Sequence, residues 1–286
     1  MGVSVITDSA SSLPQAEIER FDIDVVQLYV SENGRSMREA EIDLPALYER
    51  LSDARDLPTT SQPTPADFDD AFSRAVERGD DVLAVLISAK MSSTFRSAEM
   101  GAALTLERHL DARIELVDSE SNSMQEGFAV LAAAECAEGG GDLAQCAAAA
   151  RATVSRTRFL FAPRSLEYLA RGGRISGAAK LLGSMLRIVP ILTAANGTTA
   201  VAASVRTYDR ALARIATIMQ RDAERYGLRR AAVQLIVDEA GAERFARERI
   251  EPIAGWPVPI IGVSAVIGVH VGPAIGLAYE TIEPLR

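Results

Sequence analysis

The stretch Val82-Leu83-Ala84-Val85-Leu86-Ile87 is apolar without a break, and Asp81 and Ser88 bound it. A strand with one wet face alternates polar and apolar residues. An unbroken run of this length reads as a strand covered on both faces, as in a parallel sheet flanked by helices. Parallel neighbours need crossover connections, so the surrounding chain has to alternate strand and helix. It does. Val3 to Thr7 reads as a strand, Asp8-Ser9-Ala10-Ser11-Ser12 as a turn loop, and a helix starts near Pro14. Val25 to Val30 reads as a second strand, and Asp43 caps a helix running to about Leu51. Thr64-Pro65-Ala66-Asp67 combines a hydroxyl cap, Pro at the first helical position and an acid three residues after the cap. Phe68, Ala71, Phe72, Ala75 and Val76 then recur at helical spacing, and Gly79 closes the helix. A serine-rich loop and a helix follow the apolar run. Ile114 to Val117 is a further strand, and two Ala-rich helices flank Gly139-Gly140-Gly141.

The pattern changes after about residue 156. Phe159 to Phe161 reads as a short strand and Ser165 to Arg171 as a short helix stopped by Gly172-Gly173. Ile188 to Ala194 and Thr198 to Val205 flank Asn196-Gly197, which suits a type I′ hairpin turn. Two helices flank a strand at Ala231 to Val237, and apolar segments at 258–271 and 274–279 end the chain. The expected class is α/β in two domains. Residues 1–156 would form a parallel-sheet domain and 157–286 a mixed-sheet domain with helices on one face. The connection 58–65 is the segment placed to cross between them.

A net charge of −9 argues against nucleic acid and anionic membrane as general partners. No apolar run reaches the roughly eighteen residues needed to cross a bilayer, so no stable membrane insertion is expected. The start MGVSVITDSASSLP has neither a basic flank nor a cleavable apolar stretch, so the expected location is cytoplasmic. Cys136 and Cys146 match no metal spacing and read as free thiols. His109 and His270 cannot form a multi-histidine metal site unaided, so no metal is expected. G-x-G-x-x-G, G-x-x-x-x-G-K-[ST] and G-x-S-x-G are all absent. Between Arg151 and Arg187, Glu167 is the single acid among many bases. That segment reads either as solvated helix faces or as a place for an anion or an acidic partner. Charge alone slightly favours the first.

In open parallel sheets ligands bind outside the carboxyl ends of the strands. Asp8-Ser9, Lys90-Met91-Ser92-Ser93-Thr94 and Asp118-Ser119 each follow a strand there. Any one of them reads as a helix cap. Together with Thr59-Thr60-Ser61-Gln62 they outline a polar crevice. His270 lies between Gly268 and Gly272, which permit close backbone approach, and reads equally as a core histidine or a functional one.

Seven stretches, in order along the chain, resemble the DegV family. They are ITDSASSLP at 6–14, TSQPTP at 60–65, ISAKMSSTF at 87–95, VDS at 117–119, SLEYLARGGRIS at 165–176, LGSMLRIVPIL at 182–192 and IGVHVGPAIGLAY at 267–279. The resemblance implies a two-domain α/β fold with an apolar lipid tunnel and no cofactor. It implies a long-chain fatty acid, such as palmitate or oleate, as ligand. The carboxylate would lie near Thr60 and Ser92, with Ser61, Ser93, Thr94 and His270 around it. The apolar segment 178–186 is a candidate tunnel lining. In the family, the ATP-binding subunit of bacterial fatty acid kinase phosphorylates the bound carboxylate for phospholipid metabolism. Arg171 and Arg174 would dock that subunit. Ser93 replaces the family's usual glycine, Val271 a small hydroxyl residue, and Ala274 another glycine. The competing reading is an acyl-transferring or esterase-like enzyme with Ser92 as nucleophile and His270 as base. It lacks a third group and an elbow. A binder of some other small molecule is a further alternative.

Overall fold

A computed structural model of the protein describes residues 2–51, 57–182 and 188–285. Strand β1 (Val3–Asp8) leads through α1 (Gln15–Arg20) to β2 (Asp24–Val26). Strands β3 (Tyr29–Glu32) and β4 (Arg35–Arg38) form a hairpin turned by Asn33 and Gly34, with φ of 53° and 77°. Asp43 accepts the Ala46 N–H at 3.1 Å and so opens α2 (Leu44–Leu51). Strand β5 (Thr59–Ser61) pairs with β3, and the expected capping box on Thr64 and Asp67 opens α3 (Pro65–Glu77). Then come β6 (Asp81–Leu86), α4 (Thr94–Arg108), β7 (Ile114–Asp118), α5 (Ser123–Glu138) and α6 (Leu143–Val154).

Strands β2-β1-β6-β7 form a parallel sheet in that order. Every residue of β6 is buried, as its unbroken apolar run requires. The order reverses between β1 and β6, which places a crevice at their carboxyl ends. Asp8 bridges it: its carboxyl accepts the N–H groups of Ile87 at 2.8 Å and Ala10 at 2.9 Å. The single strand expected over Val25 to Val30 is in fact two strands in different sheets. At the break, the Leu28 N–H donates to Ser9 Oγ at 3.0 Å, and the chain leaves the parallel sheet for the small sheet β4-β3-β5.

The second half holds β8 (Thr157–Pro163), α7 (Glu167–Arg171), β9 (Val189–Ala195), β10 (Thr198–Val205), α8 (Tyr208–Tyr226) and β11 (Leu228–Ile236). It ends with α9 (Glu239–Phe245), α10 (Glu251–Ala254), β12 (Ile260–Gly262), α11 (Ala265–Val271) and β13 (Ala274–Thr281). The β9–β10 turn has φ of 50° at Asn196 and 76° at Gly197, as type I′ requires. The mixed sheet runs β10-β9-β8-β13-β11-β12 and is antiparallel except for β11 with β12. The segment 176–181 is a 3-10 turn ending at Leu182, and residues 183–186 of the expected lining segment 178–186 lie outside the described residues.

Alternation along the strands divides this sheet between two cores. Leu160, Ile191, Val233, Leu277 and Tyr279 pack with Ile215 and Met219 of α8 and Phe245 of α9. Phe159, Phe161, Leu192 and Ala278 face the other way and join Phe128 of α5, Val85 and Ile87. Leu169 of α7 and Val266 of α11 enter that same core. The expectation of helices on one face is therefore corrected: α5, α7 and α11 occupy the inner side. Residues 123–134 of α5 are all buried, since this helix is enclosed by sheets on both sides.

Buried carboxyls in the inner layer make stability depend on pH. Burial pushes Asp8 and Glu39 up to about 7, and Glu126 also rises, through burial and then the neighbouring Asp8. The folded protein holds these protons more tightly than the unfolded chain does. For Asp8 and Glu39 that contribution is complete below about pH 4 and is lost as pH rises through about 7; Glu126 acts in the same direction. At Asp67 and Asp69 burial raises, but hydrogen bonds from Thr64, Tyr29, Thr105 and Arg108 prevail and hold both below 3.8, so their opposite effect acts only in strong acid. Urea unfolding is therefore expected to need more denaturant at about pH 6 than at about pH 8, with a shallower difference in Glu39→Gln. Stability rising over that interval would contradict this.

Candidate functional site

Between the inner face of the mixed sheet and the carboxyl-end rim of the parallel sheet lies a cavity of about 630 Å³, counting the space at its mouth. Leu28, Ile87, Phe159, Phe161, Val266 and Ile267 line its interior. Thr60, His270, Arg174, Ser92 and Thr199 also line it, and they are shared with two polar surface hollows. The cavity is thus apolar inside and polar where it reaches the surface. A space of this kind suits an amphipathic ligand with one polar end.

The polar end is assembled from three elements. In β5 successive side chains point to opposite faces, and the pairing of Thr60 with Val30 sets which one turns inward. Thr60 is half-buried, while Thr59 and Ser61 are exposed. Thr60 Oγ1 lies 2.7 Å from Nε2 of His270, in the last turn of α11. That helix is held firmly at its other end. Glu39 takes the Ala265 N–H, Ser264 caps the Ile267 N–H, and the Tyr48 hydroxyl donates to the Val263 carbonyl at 2.5 Å. A Cβ on Gly268 would overlap the Tyr48 ring, so glycine there lets helix and ring meet.

Gly172 does the same for the imidazole, because a Cβ at this position would overlap His270 Nδ1. Gly172 has φ of −75°, so space rather than backbone freedom calls for glycine. Gly173, with φ of 69°, is the residue whose backbone makes the turn after α7.

His270 is pushed down to about 4, by burial first and then by the positive Arg174, so it is neutral at pH 7. Its Nδ1 is buried without a partner among the described residues. An orphaned lone pair is tolerated better than an orphaned N–H. The network therefore assigns the proton to Nε2, which donates to Thr60 Oγ1. This leaves the Thr60 hydroxyl hydrogen for a ligand acceptor.

Ser92 contributes a second hydroxyl. Its Oγ lies 2.8 Å from Thr94 Oγ1 and accepts the Thr94 N–H at 3.2 Å. Thr94 is fully buried and stands behind Ser92 rather than on the cavity wall. Ser61 and Ser93 are exposed and do not line the cavity. Ser92 and His270 share no hydrogen bond: Ser92 is paired with Thr94, and His270 with Thr60. Arg174 donates to the Met91 carbonyl at 3.1 Å and the Gly172 carbonyl at 2.6 Å, tying the turn after α7 to the serine loop. It is exposed, yet it borders the cavity and both hollows. Arg171 is exposed in the hollow beside Thr60 and His270.

Asn122 also lines the cavity, although no motif marks it. It precedes α5, donates to Met91 Sδ at 3.2 Å, and buries an Oδ1 with no partner among the described residues. Its one signal in the sequence is its place in the loop after β7, the third loop on the same rim.

A model of the DegV family, described as an uncharacterised protein family, matches residues 2–281. A DegV domain-containing protein of Clostridium perfringens is 38% identical over 98% of this chain and 99% of its own length. Two solved structures share the fold closely. A fatty-acid-binding DegV family protein from Thermus thermophilus is 32% identical, with a TM-score of 0.87 over 98% of this chain and 100% of that one. A stearic-acid-binding protein from Eubacterium ventriosum is 25% identical, with a TM-score of 0.90 over 98% of both chains. With a family match over almost its whole length and an α/β architecture shared with these relatives, this chain belongs to the DegV family.

Proposed function

We propose that the chain binds a long-chain fatty acid in the cavity and presents its carboxylate to a partner kinase subunit that brings ATP. The observation that carries this reading is the apolar cavity ending at the Thr60–His270 pair. The relatives from Thermus thermophilus and Eubacterium ventriosum, described as binding fatty acids, support the same ligand class. Burying each methylene contributes about 0.8 kcal/mol, so a long acyl chain supplies on the order of 10 kcal/mol before association costs. The apolar wall provides affinity, and the polar end provides orientation.

The chemistry asks for a head group that is held but still nucleophilic. A bidentate arginine would lower carboxylate basicity. Here Arg174 is already engaged with two carbonyls. The donors are neutral hydroxyls, on Thr60 with neutral His270 behind it and on Ser92 with Thr94 behind it. They fix one side of the carboxylate and leave an oxygen free at the mouth. That oxygen attacks the γ-phosphorus of ATP. A new O–P bond forms, the bond between the β,γ-bridging oxygen and the γ-phosphorus breaks, and ADP leaves with the electron pair. Arg171 and Arg174, exposed at the mouth, are the proposed docking residues. The regions 1–156 and 157–286 supply the two walls, and the site of action is cytoplasmic.

The competing use of Ser92 as a nucleophile draws no support from a serine bonded to a threonine. Reconstitution separates the two readings. Acyl phosphate is expected from palmitate and ATP only when an ATP-binding kinase subunit is added. Acyl phosphate made by this chain alone would contradict the division of labour.

A further inference from the structure

Of the polar residues along the cavity wall, Thr60, Ser92, Arg174, Thr199 and His270 also open onto the surface hollows. Asn122 and Thr193 do not, and so belong to the cavity alone. The Thr193 hydroxyl is used within its own strand, donating to the Ala194 carbonyl at 3.3 Å. Asn122 is different, because its Oδ1 is buried and accepts no hydrogen bond from the described residues. Asparagine at a helix start ordinarily turns its oxygen back onto the N–H groups of the first turn. Asn122 stands at that position before α5, with extended backbone, yet makes no such bond. Its amide N–H reaches instead to Met91 Sδ at 3.2 Å. A thioether accepts weakly and cannot donate, so this contact fixes the nitrogen end of the amide and leaves the oxygen end for the cavity. The neighbouring walls of Ile87, Phe159 and Phe161 offer no side-chain donor to it. A buried acceptor of this kind calls for a partner that the chain itself does not supply.

We infer that the acyl chain held in the cavity carries a hydroxyl group on its second or third carbon, and that Asn122 selects for it. The inference rests on the fatty-acid reading of the cavity and narrows the ligand to a hydroxy fatty acid. The place of the hydroxyl follows from the loop. Met91, which holds the Asn122 amide, directly precedes Ser92, whose hydroxyl faces the carboxylate in that reading. The unpaired oxygen therefore lies a short step inward from the head group. A ligand hydroxyl has one hydrogen to give and can donate it to Oδ1. A plain acyl chain would lay methylenes over the oxygen and leave it both dry and unpaired, a cost that apolar contact does not offset. The loop carrying Asn122 is also held in place. The Ser88 N–H donates to the Ser121 carbonyl at 2.8 Å, and Ser88 Oγ donates to the Gly197 carbonyl at 2.8 Å, which ties this loop to the β9–β10 turn. A single fixed polar group in an apolar wall is how a pocket of this type reads a substituent.

Calorimetric titration of the whole protein with palmitate, 2-hydroxypalmitate, 3-hydroxypalmitate and 16-hydroxypalmitate tests this. The wild type is expected to bind the 2-hydroxy or the 3-hydroxy acid about tenfold more tightly than palmitate. The 16-hydroxy acid, with its hydroxyl at the far end, should gain nothing. Asn122→Leu, which keeps the side-chain size and removes both polar ends, should bind palmitate more tightly than the wild type does and lose the preference. Asn122→Ala should lose the preference as well, and gives the same answer if the leucine variant does not fold. Palmitate bound by the wild type as tightly as both the 2-hydroxy and 3-hydroxy acids would overturn the inference and assign Oδ1 to a trapped water. A preference that survives in the Asn122 variants, or an equal gain for 16-hydroxypalmitate, would also overturn it by placing the hydroxyl elsewhere. If the wild type bound none of the four acids, the fatty-acid reading itself would fall, an outcome distinct from a failure to discriminate among them.

Discussion

Ala194→Trp is expected to leave the protein folded and its cavity empty of fatty acid. Ala194 lines the cavity from β9, opposite Thr199 of β10, and is only half-buried. An indole there would grow into the cavity rather than into the packed core behind the sheet, whose inward residues Ile191 and Leu160 belong to the other layer. Displacing even four methylenes of a bound chain forfeits about 3 kcal/mol, roughly a hundredfold in affinity. Retained far-ultraviolet circular dichroism with lost palmitate binding is the predicted pair of results. A folded variant that still takes up stoichiometric palmitate would place the acyl chain elsewhere.

Gly172→Ala should cost almost as much as removing His270, although it adds only a methyl group. The backbone there has φ of −75°, which alanine adopts freely. The obstacle is the imidazole, whose Cε1 and Cγ would lie 2.9 and 3.2 Å from the new Cβ, with Nδ1 nearer still. His270 would have to swing away, breaking its 2.7 Å bond to Thr60. Losing an oriented donor to a carboxylate weakens binding about tenfold to a hundredfold. Gly173→Ala is the control. It has φ of 69° with nothing near the added carbon, so it strains the turn without touching the head group. Titration of palmitate into Gly172→Ala, Gly173→Ala and His270→Ala checks the ranking. A wild-type affinity in Gly172→Ala would mean that the histidine position does not matter.

Features fixed by local chemistry are legible in the sequence itself. The unbroken run in β6, the capping box at Thr64 and Asp67, and the Asn196-Gly197 turn each carry their own cause. Thr60, Ser92 and His270, marked by the family resemblance, do line one cavity. The features that are not legible depend on partners distant in the chain. Strand β5 is three polar residues whose inward face is chosen by Val30. Helix α11 reads Ala-Val-Ile-Gly-Val-His-Val, a composition that favours a strand. It is helical because Glu39 and Tyr48, more than two hundred residues earlier, secure the chain at its start. Gly172 reads as a helix stop, although its function is to leave room for an imidazole. Arg174 reads as a docking residue alone, because nothing in its neighbours reveals the carbonyl of Met91.

The central claim is that a fatty acid occupies the cavity with its carboxylate at Thr60 and Ser92. Organic-solvent extraction of the purified protein, followed by mass spectrometry, tests it directly against the Thr60→Ala/Ser92→Ala double variant. The predicted result is near-stoichiometric long-chain fatty acid in the wild type and a clear reduction in the variant. A wild type that is empty and takes up neither added palmitate nor oleate would contradict the account.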